Sequence, residues 1–459
     1  MFSKPRKDFT DGPIFFRITL FALPVMLTGI LQILYGMADN IVVGRFSGDI
    51  YALGAVGSCG AIINLIVGLF MGLSLGAGVC VAHDVGAKHY DEVESVVHTA
   101  VLTSLVGSAI VTAIGLIFAP QLLAMMGIEA SLIDQATLYM RAYFCGMPAM
   151  MLYNYCAAML RSVGDTVRPL IFLSASGVVN VLLNLLMVIV FKTGALGVGV
   201  ATAASQWVAC ALIIIFMLKT DGPCKIDLRK LRIDRKKLQK ILAIGLPAGI
   251  QSSLFSISNV IIASAIHSFG SAAVVAGNTA AGNLDSYTYT VMNSIANSAL
   301  TFTGQHVGAQ KYDRLKKALL WHGILIFVSG LLVGGAMYIF GRPLIGVFAP
   351  NNEAVADIGM IRLAIIGLPY FLCGFMDLAC YSLRGFGKSL APTLISLIGS
   401  CVLRIVWIFA FFYPFFSDNI AMLYLSYPMT WFLTAVAGLI CIVIEFKSNS
   451  KKSLKTENV

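Results

Sequence analysis

Three carboxylates stand inside long apolar stretches of the sequence, at Asp39, Asp285 and Asp377. An ionised side chain at the centre of a lipid bilayer costs about 3 kcal/mol on insertion scales, so such residues persist where they face a packed interior or a water-filled cavity. A carboxylate in these surroundings can take up a proton or hold a cation. These residue types therefore indicate proton or cation binding inside a membrane.

Asp39 has polar neighbours at helical spacing. Gln32 and Tyr35 precede it by seven and four residues, which places the three side chains on one face of a helix. Asn180 and Asn184 stand one turn apart in another apolar segment, and Asp39 with these asparagines could form a cation pocket. Alternatively, the asparagines could hydrogen-bond neighbouring helices. Because removal from water disfavours the ionised form of a carboxyl group, a lone buried Asp39 could carry one proton.

A second polar group is expected in the other half of the chain. Asp377 precedes Arg384 by two helical turns, and the segment around Asp285 is unusually hydrophilic. A hydrophilic helix fits poorly against lipid, so this segment is expected to line a cavity. The candidate cavity-lining residues are Gln32, Tyr35, Asn154, Gln251, Ser256, Asn259, Asn283 and Tyr289.

Each of the three carboxylates also has a possible basic partner. A close ion pair would keep the carboxylate ionised and prevent it from acting as a proton switch. The sequence leaves binding and structural pairing open in all three cases. The candidate pairs are Asp39 with Arg141, Asp285 with Arg362, and Asp377 with Arg404.

The composition predicts the elements that position these groups. The chain has 459 residues, of which 58% are hydrophobic and 12% charged, and its mean hydropathy is +0.86. These values exclude a soluble protein of this length. One helical crossing of a bilayer needs about 20 apolar residues, and twelve runs of suitable length occur. The predicted spans are 14–44, 54–80, 95–118, 134–160, 168–191, 196–218, 241–266, 278–304, 318–340, 357–383, 392–413 and 421–446.

Lys and Arg are distributed unevenly among the predicted loops. Nine of them lie between Lys219 and Lys240, and most of the others fall on the same side as both termini. Loops rich in Lys and Arg face the cytoplasm, so we expect both termini to be cytoplasmic. The net charge of +10 then reflects membrane topology, and nucleic acid is not an expected partner. The ten cysteines show no spacing typical of disulfides or metal sites.

The second half of the sequence repeats the first. VGAKHYD at 85–91 returns as VGAQKYD at 307–313, and GMP at 146–148 returns as GLP at 367–369. Because each half has six predicted helices, both halves have the same orientation in the membrane and should be related by an axis along the membrane normal. Transporters with parallel repeats of this kind bind substrate between the halves.

The repeat predicts an all-α membrane protein with twelve transmembrane helices in two six-helix lobes with pseudo-two-fold symmetry. Pro24 and Pro247 occupy matching places in the first helix of each half, and proline loosens the backbone hydrogen bonds of a helix, so both are candidate hinges. The predicted domains are an N-terminal lobe at 1–218, a basic cytoplasmic linker at 219–240, a C-terminal lobe at 241–446 and a cytoplasmic tail at 447–459.

Three segments carry a resemblance to a known family. They are MADNIVVGRFSG at 37–48, YNYCAAMLRSVGDTVRPL at 153–170 and FMDLACYSLRGFGKSLAP at 375–392. Together they resemble the multidrug and toxic compound extrusion (MATE) family, and the similarity extends over all twelve predicted helices. The resemblance implies a V-shaped pair of six-helix lobes that expels organic cations in exchange for inward H⁺ or Na⁺.

The resemblance also implies roles for individual residues. In the family, an acid in the first helix and polar residues in the fifth bind the coupling cation, and these positions correspond to Asp39, Asn180 and Asn184. Asp377 corresponds to a cation or substrate residue of the second lobe. The sequence departs from many relatives in having Asn184 in place of Asp, and from some in having Phe255 in place of a membrane-embedded Glu.

We therefore expect a secondary antiporter of the bacterial inner membrane that exports small cationic amphipathic drugs by alternating access. We expect a monomer in the lipid bilayer, with no enzymatic activity, no cofactor and no metal centre. A flippase for a lipid-linked oligosaccharide or cell-wall precursor is the alternative. A membrane enzyme is a third hypothesis, and it would use histidines near the predicted inner loops. These histidines are His83, His89, His98 and His306.

Overall fold

The computed structural model describes residues 9–47, 50–126, 128–350 and 352–457, and the regular secondary structure in these ranges is entirely helical. A short helix, Gly341–Phe348, follows the ninth long helix. The twelve long helices are α1 Ile14–Phe46, α2 Ile50–Gly86, α3 Tyr90–Met125, α4 Ala130–Ser162, α5 Val167–Val190, α6 Gly194–Lys219, α7 Arg235–His267, α8 Ala272–Gly308, α9 Tyr312–Ile339, α10 Glu353–Gly385, α11 Leu390–Phe415 and α12 Ile420–Glu457.

Each predicted span corresponds to one of these twelve helices. Ten spans lie within their helices, and the spans 168–191 and 318–340 each pass the end of their helix by one residue. Ten of the helices are long and apolar enough to cross a membrane. The other two, α4 and α8, are equally long but carry more polar residues. The prediction of an all-α membrane protein is therefore confirmed.

The repeated motifs fold in the same way in both halves. Lys88 in VGAKHYD and Gln310 in VGAQKYD both adopt a positive φ, of 62° and 57°. This left-handed conformation is uncommon for residues other than glycine. Gly164 and Gly387, which follow the ends of α4 and α10, have φ values of 88° and 82°, as is common where a helix ends. The duplication is thus present in the backbone as well as in the sequence.

The chain forms two compact units whose boundaries cut α1 and α7. The first unit contains Leu27–Gly249, and the second contains Phe9–Met26 together with the chain from Ile250 onward. In each of the two cut helices the boundary lies three residues after a proline, Pro24 in α1 and Pro247 in α7. The lobe boundaries expected from the repeat stay a prediction, and the two compact units divide the chain differently. The linker and the first half of α7 belong to the first unit, and the first half of α1 belongs to the second.

The first half of α7 belongs to the first unit because its backbone lies directly on that of α2. Gly72 and Gly76 of α2 face Gly245 and Gly249 of α7. A Cβ atom at Gly72 would lie 2.1 Å from the Gly249 nitrogen, and one at Gly76 would lie 2.2 Å from the Ile241 carbonyl oxygen. Each glycine pair is four residues apart, a spacing typical of close helix packing in membranes, so the sequence does contain a signal for this contact.

The first half of α1 belongs to the second unit through aromatic and polar contacts at its start. Phe9 stacks on Phe302 of α8 with ring centroids 4.6 Å apart. The Phe9 N–H donates to Gln305 Oε1 at 3.1 Å, and the Lys311 ammonium lies 2.9 Å from an Asp11 carboxylate oxygen. The segment before α1 is thereby fixed to the junction of α8 and α9.

Gly72→Ala is expected to lower the thermal stability of the purified protein, because the added methyl group forces α2 and α7 apart. Overpacking of this kind costs about 1–3 kcal/mol. Scanning fluorimetry of the protein in detergent measures the unfolding temperature. Gly60→Ala in the same helix is the control, since nothing lies within 4 Å of its Cβ position. Equal unfolding temperatures for the two variants would contradict the close contact.

Candidate functional site

Asp39 is the centre of a polar site in the first unit, formed by α1, α5 and α6. Its Oδ1 accepts a hydrogen bond from Asn184 Nδ2 at 2.5 Å, and its Oδ2 accepts one from Thr202 Oγ1 at 3.4 Å. The Asn184 amide also donates to Asn180 Oδ1 at 3.2 Å. The structure thus brings Asp39, Asn180 and Asn184 together, as the sequence predicts. Thr202 was missed, because a single threonine in an apolar helix gives no pattern.

The orientation of the Asn184 amide matters for the chemistry of this site. Its nitrogen points at the Asp39 carboxylate, whereas its Oδ1 is buried and has no hydrogen-bond partner among the described residues. Asn184 is completely buried and Asp39 is partly exposed. Two donors aimed at one carboxylate stabilise its ionised form. A protonated Asp39 would carry an O–H donor, and the unused Asn184 oxygen could accept its hydrogen bond.

Tyr35 packs against α5 near Ser174 and Gly177. Its hydroxyl lies 3.5 Å from the Ser174 carbonyl oxygen, and a Cβ atom at Gly177 would lie 1.7 Å from the Tyr35 ring. The hydroxyl end of the Tyr35 ring therefore occupies the space that a side chain at position 177 would fill. Gln32, the other predicted member of this stripe, is exposed.

Asp39 does not form the ion pair with Arg141 that the sequence left open. The Arg141 guanidinium donates through Nε to the Leu116 carbonyl oxygen at 3.1 Å. Within the described ranges, no Lys or Arg nitrogen lies within 4 Å of the Asp39 carboxylate. Asp39 is therefore held by hydrogen bonds alone.

Asp377 is the centre of a second polar group, in the second unit. Its Oδ2 accepts a hydrogen bond from Asn293 Nδ2 at 3.0 Å, and the same amide nitrogen lies 3.1 Å from the Tyr289 hydroxyl and 3.3 Å from the Tyr381 hydroxyl. Asp377, Asn293 and Tyr381 are partly exposed, and Tyr289 is exposed. These four side chains thus offer one carboxylate and two phenols at an accessible surface. Tyr381 was not among the predicted site residues, and Asn293 belongs to the hydrophilic helix that was expected to line a cavity.

Arg404 does not pair with Asp377. The Arg404 side chain is buried, donates to Thr430 Oγ1 at 3.2 Å, and places its guanidinium 4.1 Å from the centroid of the Tyr427 ring. A cation over an aromatic face is stabilised by the ring quadrupole. Like Asp39, Asp377 is held by neutral donors in this structure.

Asp285, in contrast, forms a buried ion pair with Arg362. The Asp285 Oδ2 atom lies 2.9 Å from Arg362 Nε, and Arg362 Nη1 donates to Asn278 Oδ1 at 2.7 Å. The Asp285 side chain is only 4% exposed. Its geometry is that of a structural pair between α8 and α10, so its assignment as a cation or substrate residue stays a prediction without support from these contacts.

The other predicted cavity-lining residues differ in their surroundings. Gln251 is buried and accepts a hydrogen bond from Arg384 at 2.7 Å. Asn154 and Ser256 donate to carbonyl oxygens one turn back in their own helices. Asn259 and Asn283 are exposed. The structure therefore does not gather these residues into one cluster with either carboxylate.

The histidines of the enzyme hypothesis do not form a metal centre in the described part of the chain. No group of three or more His, Cys, Asp or Glu side chains there has the arrangement of a metal site. His98 accepts a hydrogen bond from the backbone of the linker, and His306 contacts the carbonyl of Phe302 one turn before it.

The long apolar helices define a multi-pass membrane protein, and the family match defines it as a transporter. The MatE family model matches residues 24–186 and 247–410, once in each half and over more than half of the chain. The chain therefore belongs to the MatE family, whose members are transporters and not enzymes. The resemblance found in the sequence is confirmed.

Relatives and solved structures agree with this assignment. The chain is 28% identical to the probable multidrug resistance protein YoeA of Bacillus subtilis (strain 168), over 83% of each chain. It is 25% identical to the probable multidrug resistance protein NorM of Thermotoga maritima, over 84% of this chain and 82% of NorM. A structure described as the outward-facing conformation of a multidrug resistance MATE family transporter superposes with a TM-score of 0.91 at 21% identity, covering 98% of this chain and all of the other.

Asp285→Asn is expected to destabilise the protein far more than Asp377→Asn. The first substitution leaves the Arg362 charge buried without a counter-ion, which costs about 3–5 kcal/mol. The second removes a charge that forms no ion pair in the described part of the chain, where the Arg384 charge acts on it only without a direct contact, and its amide can still hydrogen-bond. Unfolding temperatures of both variants in detergent, compared with wild type, test this. A wild-type unfolding temperature for Asp285→Asn would show that the ion pair has no structural role.

Proposed function

We propose that this transporter is a proton-coupled antiporter that exports small organic cations and drugs across the bacterial inner membrane by alternating access. The single observation that carries the coupling part is the Asp39 carboxylate, which is held by Asn184 and Thr202 and has no basic partner among the residues that the structure describes. Such a group can exchange a proton without breaking an ion pair. The names of the relatives support drugs as the cargo.

Protons suit the Asp39 site better than Na⁺. A Na⁺ ion is favoured by several negatively charged oxygen ligands, and among the described residues of this site Asp39 supplies the one carboxylate. The second carboxylate that many relatives have at this position is absent. When Asp39 takes up a proton, rotation of the Asn184 amide would let its free Oδ1 accept the new O–H. The site then has one complete hydrogen-bond arrangement for each protonation state.

The two protonation states would bias two conformations of the transporter. Coupling requires that the proton and the cargo bind these conformations with different affinity. Pro24 and Pro247 support a bending motion, because the chain passes from one compact unit to the other three residues after each of them. We assign both the role of hinge. The accessible group of Asp377, Asn293, Tyr289 and Tyr381 offers a negative charge and aromatic faces to a cationic cargo.

The distribution of Lys and Arg supports the proposed orientation. The basic linker and the loops that carry VGAKHYD and VGAQKYD would face the cytoplasm, as would both termini. Residues 1–8 and 458–459 lie outside the described residues. We propose that the transporter functions as a monomer.

Asp39→Asn is expected to abolish uncoupler-sensitive efflux of ethidium, because the amide cannot exchange a proton. Efflux is followed by fluorescence in drug-sensitive cells, with and without a proton uncoupler. Asp313→Asn is the control, since Asp313 is an exposed carboxyl. Wild-type efflux by Asp39→Asn would contradict the proposed role. Absence of efflux by the wild-type protein under any ion gradient would contradict drug export and favour a flippase.

Asn184→Asp is expected to make efflux depend on Na⁺, because a second carboxylate beside Asp39 adds negative charge and oxygen ligands for a cation. Efflux is compared in media that contain NaCl or KCl at equal ionic strength. The wild-type protein should show no difference between the two salts. A wild-type rate that requires Na⁺ and resists the uncoupler would exclude proton coupling.

A further inference from the structure

The linker between α6 and α7 is folded onto the first unit. Cys224 and Ile226 are 2% and 3% exposed, and the Ile226 N–H donates to the Met217 carbonyl oxygen at 2.9 Å. These contacts fix the first part of the linker beside the end of α6. The linker is therefore basic but is not solvated along its whole length.

Two backbone N–H groups of the linker donate to side chains of α3. The Asp227 N–H donates to His98 Nε2 at 3.0 Å, and the Asp234 N–H donates to Thr99 Oγ1 at 3.0 Å. His98 is 3% exposed and Thr99 is completely buried. A backbone N–H can only donate, so His98 Nε2 must be unprotonated in this arrangement and the ring proton must sit on Nδ1. The folded linker therefore requires a neutral His98.

Ion pairs also hold the linker and the start of α7. Lys237 lies 2.8 Å from both Asp84 and Glu92, and Lys230 lies 3.1 Å from Glu94. The hydrogen bond with Glu94 raises the pKa of Lys230 above its usual value. These contacts keep their charges near neutral pH, unlike a histidine.

The pKa of Asp234 is shifted in the opposite direction. The Lys237 N–H, which donates to the Asp234 carboxylate, lowers the pKa of that group. Asp234 therefore stays ionised well below neutral pH, and its N–H contact with Thr99 does not depend on a titrating group. Of the two backbone anchors, only the one at His98 contains a side chain that changes charge between about pH 5 and pH 8.

Protonation of His98 would convert its acceptor nitrogen into a donor facing another donor. The hydrogen bond to the Asp227 N–H is then lost, and the charged ring can turn towards a carboxylate instead. Burial of the ring opposes the charged form of His98 most strongly. Among the charged groups, Glu94 and Asp227 favour the charged form, and Lys230 and Arg232 oppose it. The ring thus has a distinct set of partners in each protonation state.

We propose that His98 is a pH-sensitive anchor of the linker, which holds the linker on α3 when neutral and releases it when protonated. In the proposed orientation this anchor senses cytoplasmic pH. The linker leads into Arg235–Gly249, the half of α7 that belongs to the first unit and ends just after Pro247. Release of the anchor would loosen the start of the helix that is expected to bend. The proposal does not depend on which cargo or ion is transported.

Hydrogen exchange of the full-length protein in lipid nanodiscs tests the anchor directly. The observable is the exchange rate of peptides that cover 221–234, corrected for the intrinsic effect of pH, at about pH 8 and about pH 5.5. Loss of one buried hydrogen bond is expected to increase the corrected linker exchange about three- to tenfold at the lower pH. An unchanged corrected rate would overturn the proposal.

Two variants separate the anchor from a general effect of acid. His98→Gln keeps an oxygen acceptor for the Asp227 N–H at every pH, so its corrected linker exchange should be independent of pH. Thr99→Ala removes the other backbone anchor, so linker exchange should rise at both pH values while the acid-dependent increase remains. If His98→Gln shows the same acid-dependent increase as wild type, the proposal is wrong. Wild-type exchange alone remains decisive if a variant fails to fold.

Discussion

A carboxylate in an apolar helix bundle must be neutralised, hydrogen-bonded or protonated, and the rest of this transporter is arranged around that constraint. Asp285 is neutralised by Arg362 and joins α8 to α10. Asp39 and Asp377 are instead held by amide and hydroxyl donors from other helices of their own units. An ion pair stabilises one protonation state strongly, whereas neutral donors leave the alternative state within reach. The same residue type thus serves structure in one place and is available for chemistry in two others.

Local packing explains why the first half of α1 belongs to the second unit and the first half of α7 to the first unit. Glycine pairs bring the backbones of α2 and α7 into direct contact, and the aromatic rings of Phe9 and Phe302 fix the segment before α1. Each shared helix has a proline just before the boundary between the units. A helix fixed at both ends to different bodies concentrates bending where its hydrogen-bond ladder is weakest. The position of the prolines therefore fits the hinge role proposed for the two shared helices.

The helices, the duplication and the family could be predicted from the sequence because each depends on local or regularly spaced signals. Apolar runs fix the spans, and VGAKHYD with VGAQKYD fixes the repeat. Asp39, Asn180 and Asn184 were found because acids and amides are rare in membrane helices. Thr202 could not be found in this way, since a single hydroxyl is common in such helices. The choice among ion pairs also depended on side-chain direction, and Arg141 lies near a carbonyl of α3 instead of Asp39.

The repeated loop has two copies, and each copy forms an ion pair with the chain segment near the start of α7 or α1. The charges of the two ion pairs are reversed between the copies. Lys237 binds Asp84 and Glu92, which flank VGAKHYD, whereas Asp11 binds Lys311 within VGAQKYD. If the segments were interchanged, lysine would meet lysine and aspartate would meet acids. Each segment is therefore complementary in charge to its own copy of the loop and not to the other copy. Two copies with identical charges would lack this distinction between the two docking places.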